Sequence, residues 1–193
     1  MKKKVLVMIL LAGVLAGSSM TAQAAPLKGA ATQICTASVV KVENVDNATD
    51  LTAALKKAYQ GETVEIVLRA GATVEIEGEQ TIYSNVTINL NGGTIKATNA
   101  AKGNVLYIKS DTENVAIYGG NIVASGNQHG IYVNNARNVN VHDLNISGYA
   151  DNGIYAASST LADLTNIAAT GGNGGVYLNG SPAGTVSGCT FNN

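Results

Sequence analysis

His129 and Asp151 are the residues best placed for acid–base chemistry in this sequence. "NQHGIYV" and "ADNGIYA" align on Gly130 and Gly153, which sets His129 opposite Asn152 and Asp151 diagonally beside the imidazole. An imidazole next to a carboxylate can move protons near neutral pH. The plainer alternative is a pair of solvated loop residues, and spacing alone does not decide between the two. A second chemical feature is a tyrosine that keeps returning between aliphatics. Tyr107 stands in "VLYI", Tyr132 in "GIYV", Tyr155 in "GIYA" and Tyr177 in "GVYL", at intervals of 25, 23 and 22 residues. Such a column could offer ring faces and hydroxyls to sugar rings, or it could simply stack and stabilise a sheet. Lys109, Asn134 and Arg137 flank it and complete the candidate binding set.

What positions these residues is a repeat. Alternating apolar pairs recur in step with the tyrosines: Val86 and Ile88, Val115 and Ile117, Val139 and Val141. Each pair is the signature of a short strand with one buried face. Next comes a column of Gly92, Gly119, Asp143, Asn166 and Gly188, spaced by 27, 24, 23 and 22 residues. Glycine, asparagine and aspartate tolerate positive φ at least cost, so the column predicts a left-handed corner. A further alternating run follows each corner, as in Leu144 and Ile146 or Ile167 and Ala169. Three short strands per period of about 23 residues leave no room for a βαβ crossover. A solenoid of parallel strands satisfies the pattern, with rungs about 4.8 Å apart and like columns stacked. The inward aliphatics then turn the tyrosines outward.

Ahead of the repeat, "NATDLTAALKKAYQG" reads as one amphipathic helix. Asn47, Thr49 and Asp50 are capping candidates, Leu51, Ala54, Leu55 and Ala58 share a face, and Gly61 stops the turn. A solenoid needs such a lid over its first rung. The helix, "VTINLNGGTI" and the reiterated "GIYV…RNVNVHDLNI" together resemble the pectin-lyase-like superfamily. The resemblance covers roughly residues 49–191. It implies an all-β, right-handed, single-stranded parallel β-helix, with an N-terminal segment and capping helix within residues 25–63 and the solenoid over 64–193. It also implies a polysaccharide or glycan partner lying along the outer tyrosine sheet.

The resemblance does not fix an activity. The paired aspartates, G-H-G and R-I-K segments of polygalacturonases have only faint and order-reversed counterparts in "NQHGI" and "ADNGI". No basic residue sits among calcium-binding carboxylates as in pectate lyases, because Asp111, Glu113 and Asp151 form no tight cluster by spacing. No metal site is therefore assigned and no cofactor expected, with calcium unsupported. A polysaccharide lyase or hydrolase and a non-catalytic glycan-binding or scaffold β-helix both stay open.

Residues 1–24 read as a secretory leader: three lysines, an apolar run from Val5 to Gly17, and Ala22 and Ala24 in an A-x-A pattern. The run is too short for a membrane span, so a secreted or cell-surface product is expected. Removing the leader leaves 169 residues (193 less 24), with 9 basic and 13 acidic side chains. No basic stripe suggests nucleic acid, and a net negative chain does not attract a polyuronate. Cys35 and Cys189 lie near opposite ends of that product, too far apart along the solenoid for a disulfide. The last rung, from Thr185 to Phe191, is expected to leave an open apolar edge, implying further rungs in a longer protein or end-to-end association.

Overall fold

The computed structural model describes residues 39–98 and 103–192. The leader and Cys35, with the disulfide question that depends on it, lie outside the described residues. The elements in chain order are β1 (Lys41–Val45), α1 (Ala48–Tyr59), β2 (Val64–Leu68), β3 (Thr73–Ile76), β4 (Gln80–Ile82), β5 (Val86–Asn89), β6 (Thr94–Ala97) and β7 (Asn104–Ile108). They continue with β8 (Glu113–Val123), β9 (His129–Asn134), β10 (Arg137–Ser147), β11 (Asn152–Ala157), β12 (Thr160–Thr170), β13 (Gly174–Asn179), β14 (Ala183–Ser187) and β15 (Thr190–Asn192).

These strands coil into a parallel β-solenoid of about six turns. A ten-stranded sheet runs β1-β2-β5-β8-β10-β12-β14, with β3, β6 and β15 joined to it, and a five-stranded sheet runs β13-β11-β9-β7-β4. Each long strand serves two faces. In β10 the buried positions are Val139 and Val141, then Leu144 and Ile146, so the alternation skips one step at Asp143. The chain must turn there for both pairs to point inward. Gly92, Gly119, Asp143, Asn166 and Gly188 all have positive φ, as the corner column requires. Where the sequence suggests two short strands around a corner, the hydrogen-bonded ladder continues through it.

Two further columns are left-handed, one of asparagines and one of mixed polar residues. Asn85, Asn114 and Asn138 open strands with φ of 60°, 59° and 53°, and Asp111, Asn135 and Ser158 turn the chain out of the five-stranded sheet. Their side chains bond along the axis: Asn114 Nδ2 donates to Asn85 Oδ1 at 3.0 Å and Asn138 Nδ2 to Asn114 Oδ1 at 2.8 Å. Such rows satisfy polar groups between rungs without disturbing the core.

The core is a stack of aliphatic columns. Ile66, Ile88, Ile117, Val141 and Leu164 follow one another in register and are fully buried. Burying each such side chain contributes about 1.5–3 kcal/mol. α1 covers one end with Leu51, Ala54, Leu55 and Ala58, and Asn47 caps it by accepting from Thr49 and Asp50 backbone N–H groups at 2.9 and 3.1 Å. β1, in the segment before Val64, already pairs with β2. In the last described rung Leu178, Val186 and Phe191 are exposed, while Cys189 is half-buried with its thiol on the Leu164 carbonyl. Among the described residues no helix is long and apolar enough to cross a membrane.

Candidate functional site

The four tyrosines share one column of the five-stranded sheet. Tyr107, Tyr132, Tyr155 and Tyr177 are mutual register partners across β7, β9, β11 and β13, and Thr81 of β4 precedes them. Their inner neighbours Leu106, Ile108, Ile131, Val133, Ile154 and Ala156 are buried, which forces the rings outward. Successive ring centroids lie 5.5, 5.2 and 5.4 Å apart, inclined by 36°, 62° and 16°. Only Tyr177 is strongly exposed, at 53%; the other three are half-buried, each shielded by the next ring.

Asn134 does not stand free beside this column. Its Nδ2 donates to the Tyr107 hydroxyl at 2.9 Å, and one repeat pair later Asn179 Nδ2 donates to the Tyr155 hydroxyl at 3.1 Å. An asparagine two residues beyond a tyrosine thus holds the tyrosine of the preceding rung. Burial and the neighbouring phenols Tyr155 and Tyr107 push the Tyr132 hydroxyl above its ordinary value.

His129 and Asp151 sit at the entry to the same strands. His129 opens β9 in register with Asn104 and Asn152, and Asp151 immediately precedes β11. The imidazole is only 4% exposed, so it is no solvated loop residue. Its ring lies parallel to Tyr155, with centroids 4.8 Å apart at 9°, and edges toward Tyr132 at 5.8 Å. Burial lowers its pKa, against the Asp151 charge and a backbone hydrogen bond at Asn152, which raise it. Among the described residues its Nδ1 is buried without a hydrogen-bond partner. Asp151 accepts from Asn173 Nδ2 at 3.0 Å. The two residues are thus neighbours, as the alignment predicts, with the histidine tucked beneath the aromatic row.

The cations are less well placed. Lys109 is exposed on the tyrosine side, with its ammonium 5.8 Å from the Tyr83 ring centroid. Arg137 begins β10, in register with Glu113 on the other sheet, past the Asn135 turn. The structure therefore does not bring it to the tyrosine column. Two residues missing from the candidate set extend the aromatic surface instead. Tyr83, just beyond β4, and Tyr59, at the end of α1, have centroids 5.1 Å apart and line a hollow of about 380 Å3 with Lys56 and Glu79. Tyr83 was hidden because its rung carries Thr81 in the tyrosine position. A second hollow of about 460 Å3, lined by Asn47, Thr49, Thr73 and Glu75, lies against the helix and away from the column. It contains a committed helix cap and no acid–base pair. Among the described residues, no three His, Cys, Asp or Glu side chains converge to hold a metal ion.

No family model matches the chain, and no curated protein matches it in sequence. Among solved structures, it is similar to an alginate lyase from Paenibacillus sp. str. FPU-7, with a TM-score of 0.52 and 18% identity over 78% of this chain. That match spans 66% of the lyase's own length. A candidate glycosyl hydrolase from Parabacteroides merdae aligns at a TM-score of 0.40 and 11% identity, over 78% of this chain and 91% of that one.

Proposed function

We propose that this chain, whose fold is the pectin-lyase-like parallel β-helix, binds a neutral polysaccharide lengthwise along its tyrosine face. The observation that supports this reading is the ring row itself. Four rings follow the axis at 5.2–5.5 Å intervals, a step comparable to one pyranose in an extended chain. Sugar C–H faces pack on such rings while the phenol hydroxyls hydrogen-bond. β-Helix proteins that act on polysaccharide, such as the alginate lyase, lend the class of ligand.

Charge argues for a neutral glycan. Past Asn114 the charged side chains are Arg137, Asp143, Asp151 and Asp163. Arg137 belongs to the other sheet, so on the tyrosine side Asp151 is the charge near Tyr132, Tyr155 and Tyr177, with the cation Lys109 at the Tyr107 end. A polyuronate would meet repulsion there and would find no bidentate guanidinium. Export through the leader at residues 1–24 would put the protein where such polymers occur.

Affinity electrophoresis tests the reading. Migration should be retarded in gels containing a neutral glucan, mannan or galactan and unaffected by polygalacturonate or alginate. Retardation by the uronates alone would overturn the neutral assignment, and retardation by none would overturn binding.

One observation favours a second reading, in which the bound chain is also cleaved. His129 is in register with Asn152, the residue that follows Asp151, so the pair could shuttle a proton if a saccharide opened the site. Release of reducing ends or of unsaturated, ultraviolet-absorbing ends would establish hydrolysis or lyase chemistry, respectively.

A further inference from the structure

The asparagine clamp reaches two of the four tyrosine hydroxyls: among the described residues neither Tyr132, inside the row, nor Tyr177, at its end, is held by one. Asn134 holds Tyr107 and Asn179 holds Tyr155, but the residue in register between those asparagines is Ala157. Its methyl group cannot donate, so Tyr132 has no hydroxyl partner among the described residues. The row also changes attitude at this point. Tyr132 meets Tyr155 edge-on at 62°, whereas Tyr155 lies within 16° of Tyr177 and within 9° of His129. A free hydroxyl and a turned ring therefore coincide in the middle of the face, where the ring centroids of His129 and Tyr132 lie 5.8 Å apart.

We infer that the gap at Ala157 is a saccharide hydroxyl subsite, in which the Tyr132 hydroxyl hydrogen-bonds a sugar hydroxyl that takes the place of the missing asparagine amide. Tyr132 is then the specificity-determining residue of the face, and Ala157 determines its availability. The neighbouring rungs supply ring faces with hydroxyls already engaged. A phenol hydroxyl both donates and accepts, which suits a neutral alcohol better than a carboxylate, for which it could act only as donor. The inference rests on the glycan-binding reading above and adds the point at which one sugar is recognised.

Ala157→Asn tests it by closing the gap. The geometry of Asn134 on Tyr107 predicts that the new amide engages the Tyr132 hydroxyl, on the outer face and without entering the core. The variant should melt no lower than the parent, yet bind the neutral polysaccharide that retards the parent about tenfold more weakly, the scale of one lost hydrogen bond. Tyr132→Phe, which keeps the ring and removes the hydroxyl, should weaken binding equally. Undiminished binding in both variants would overturn the subsite while leaving the binding face intact. Failure of the parent protein to bind any neutral polysaccharide would instead remove the reading on which the subsite rests.

Discussion

The imidazole of His129 lies parallel to the Tyr155 ring, 4.8 Å away and one rung removed. This places a titratable group under an aromatic row, in a setting that disfavours its charge. Burial lowers the His129 pKa from the ordinary 6.5. Unfolded chain therefore takes up this proton at a higher pH than folded chain does, and folding weakens as pH falls from about 6.5 toward the lowered folded value. His129→Asn, matching Asn104 and Asn152 in the same column, should flatten that segment of the stability profile. Thermal melts of parent and variant between about pH 7.5 and 5 measure it, since a shifted histidine gives stability a slope over that range. Parallel curves for the two proteins would contradict the account.

Asp143 and Asn166 form a corner pair. Asn166 Nδ2 donates to Asp143 Oδ1 at 2.9 Å, and both residues have φ near +53°. Asn166→Val should lower stability by about 1–3 kcal/mol, because a β-branched residue resists that conformation, whereas Asn166→Gly should be tolerated better. Urea denaturation distinguishes them.

The same corner carries an acid dependence. Hydrogen bonds from His142 and Asn166 lower the Asp143 pKa below the ordinary 3.8. The stabilisation is fully present above the unfolded value and is lost as pH falls through the folded one. Asp143→Asn, which keeps a residue suited to positive φ, should remove part of the destabilisation seen below about pH 4. Acid titration followed by circular dichroism reads the difference.

Binding through rings and hydroxyls to a neutral ligand should be nearly independent of salt, because screening acts on charges. Raising ionic strength tenfold should leave the affinity for neutral polysaccharide within a factor of about two. Lys109→Gln should change it as little. A steep salt dependence would point to a charged ligand.

The sequence revealed most of the frame, because a solenoid repeats each structural demand in every turn. One asparagine says little, but Gly119, Asp143, Asn166 and Gly188 at a steady interval disclose a backbone angle. The tyrosine face followed from Ile131 and Val133 pointing inward around Tyr132. What stayed hidden were departures from the repeat. Ala157 signifies only once Asn134 and Asn179 are seen holding tyrosines a rung away, a relation spanning 24 to 27 residues. Tyr59 and Tyr83 meet across the helix–sheet junction, where no periodicity reaches. The depth of His129 was also invisible, since its alignment with Asn152 is equally compatible with a solvated loop.

The most direct test of the central claim uses the tyrosines as reporters. The chain has eight tyrosines and no tryptophan, so a spectrum of ring-labelled protein can be assigned by single Tyr→Phe variants. Titration with a neutral oligosaccharide cut from the polysaccharide that retards the protein should shift the signals of Tyr107, Tyr132, Tyr155 and Tyr177 together. Tyr118, stacked on His142 on the other sheet, should stay still. Shifts confined to Tyr118, or an unmoved spectrum at saturating oligosaccharide, would contradict the assignment of the tyrosine face as the binding surface.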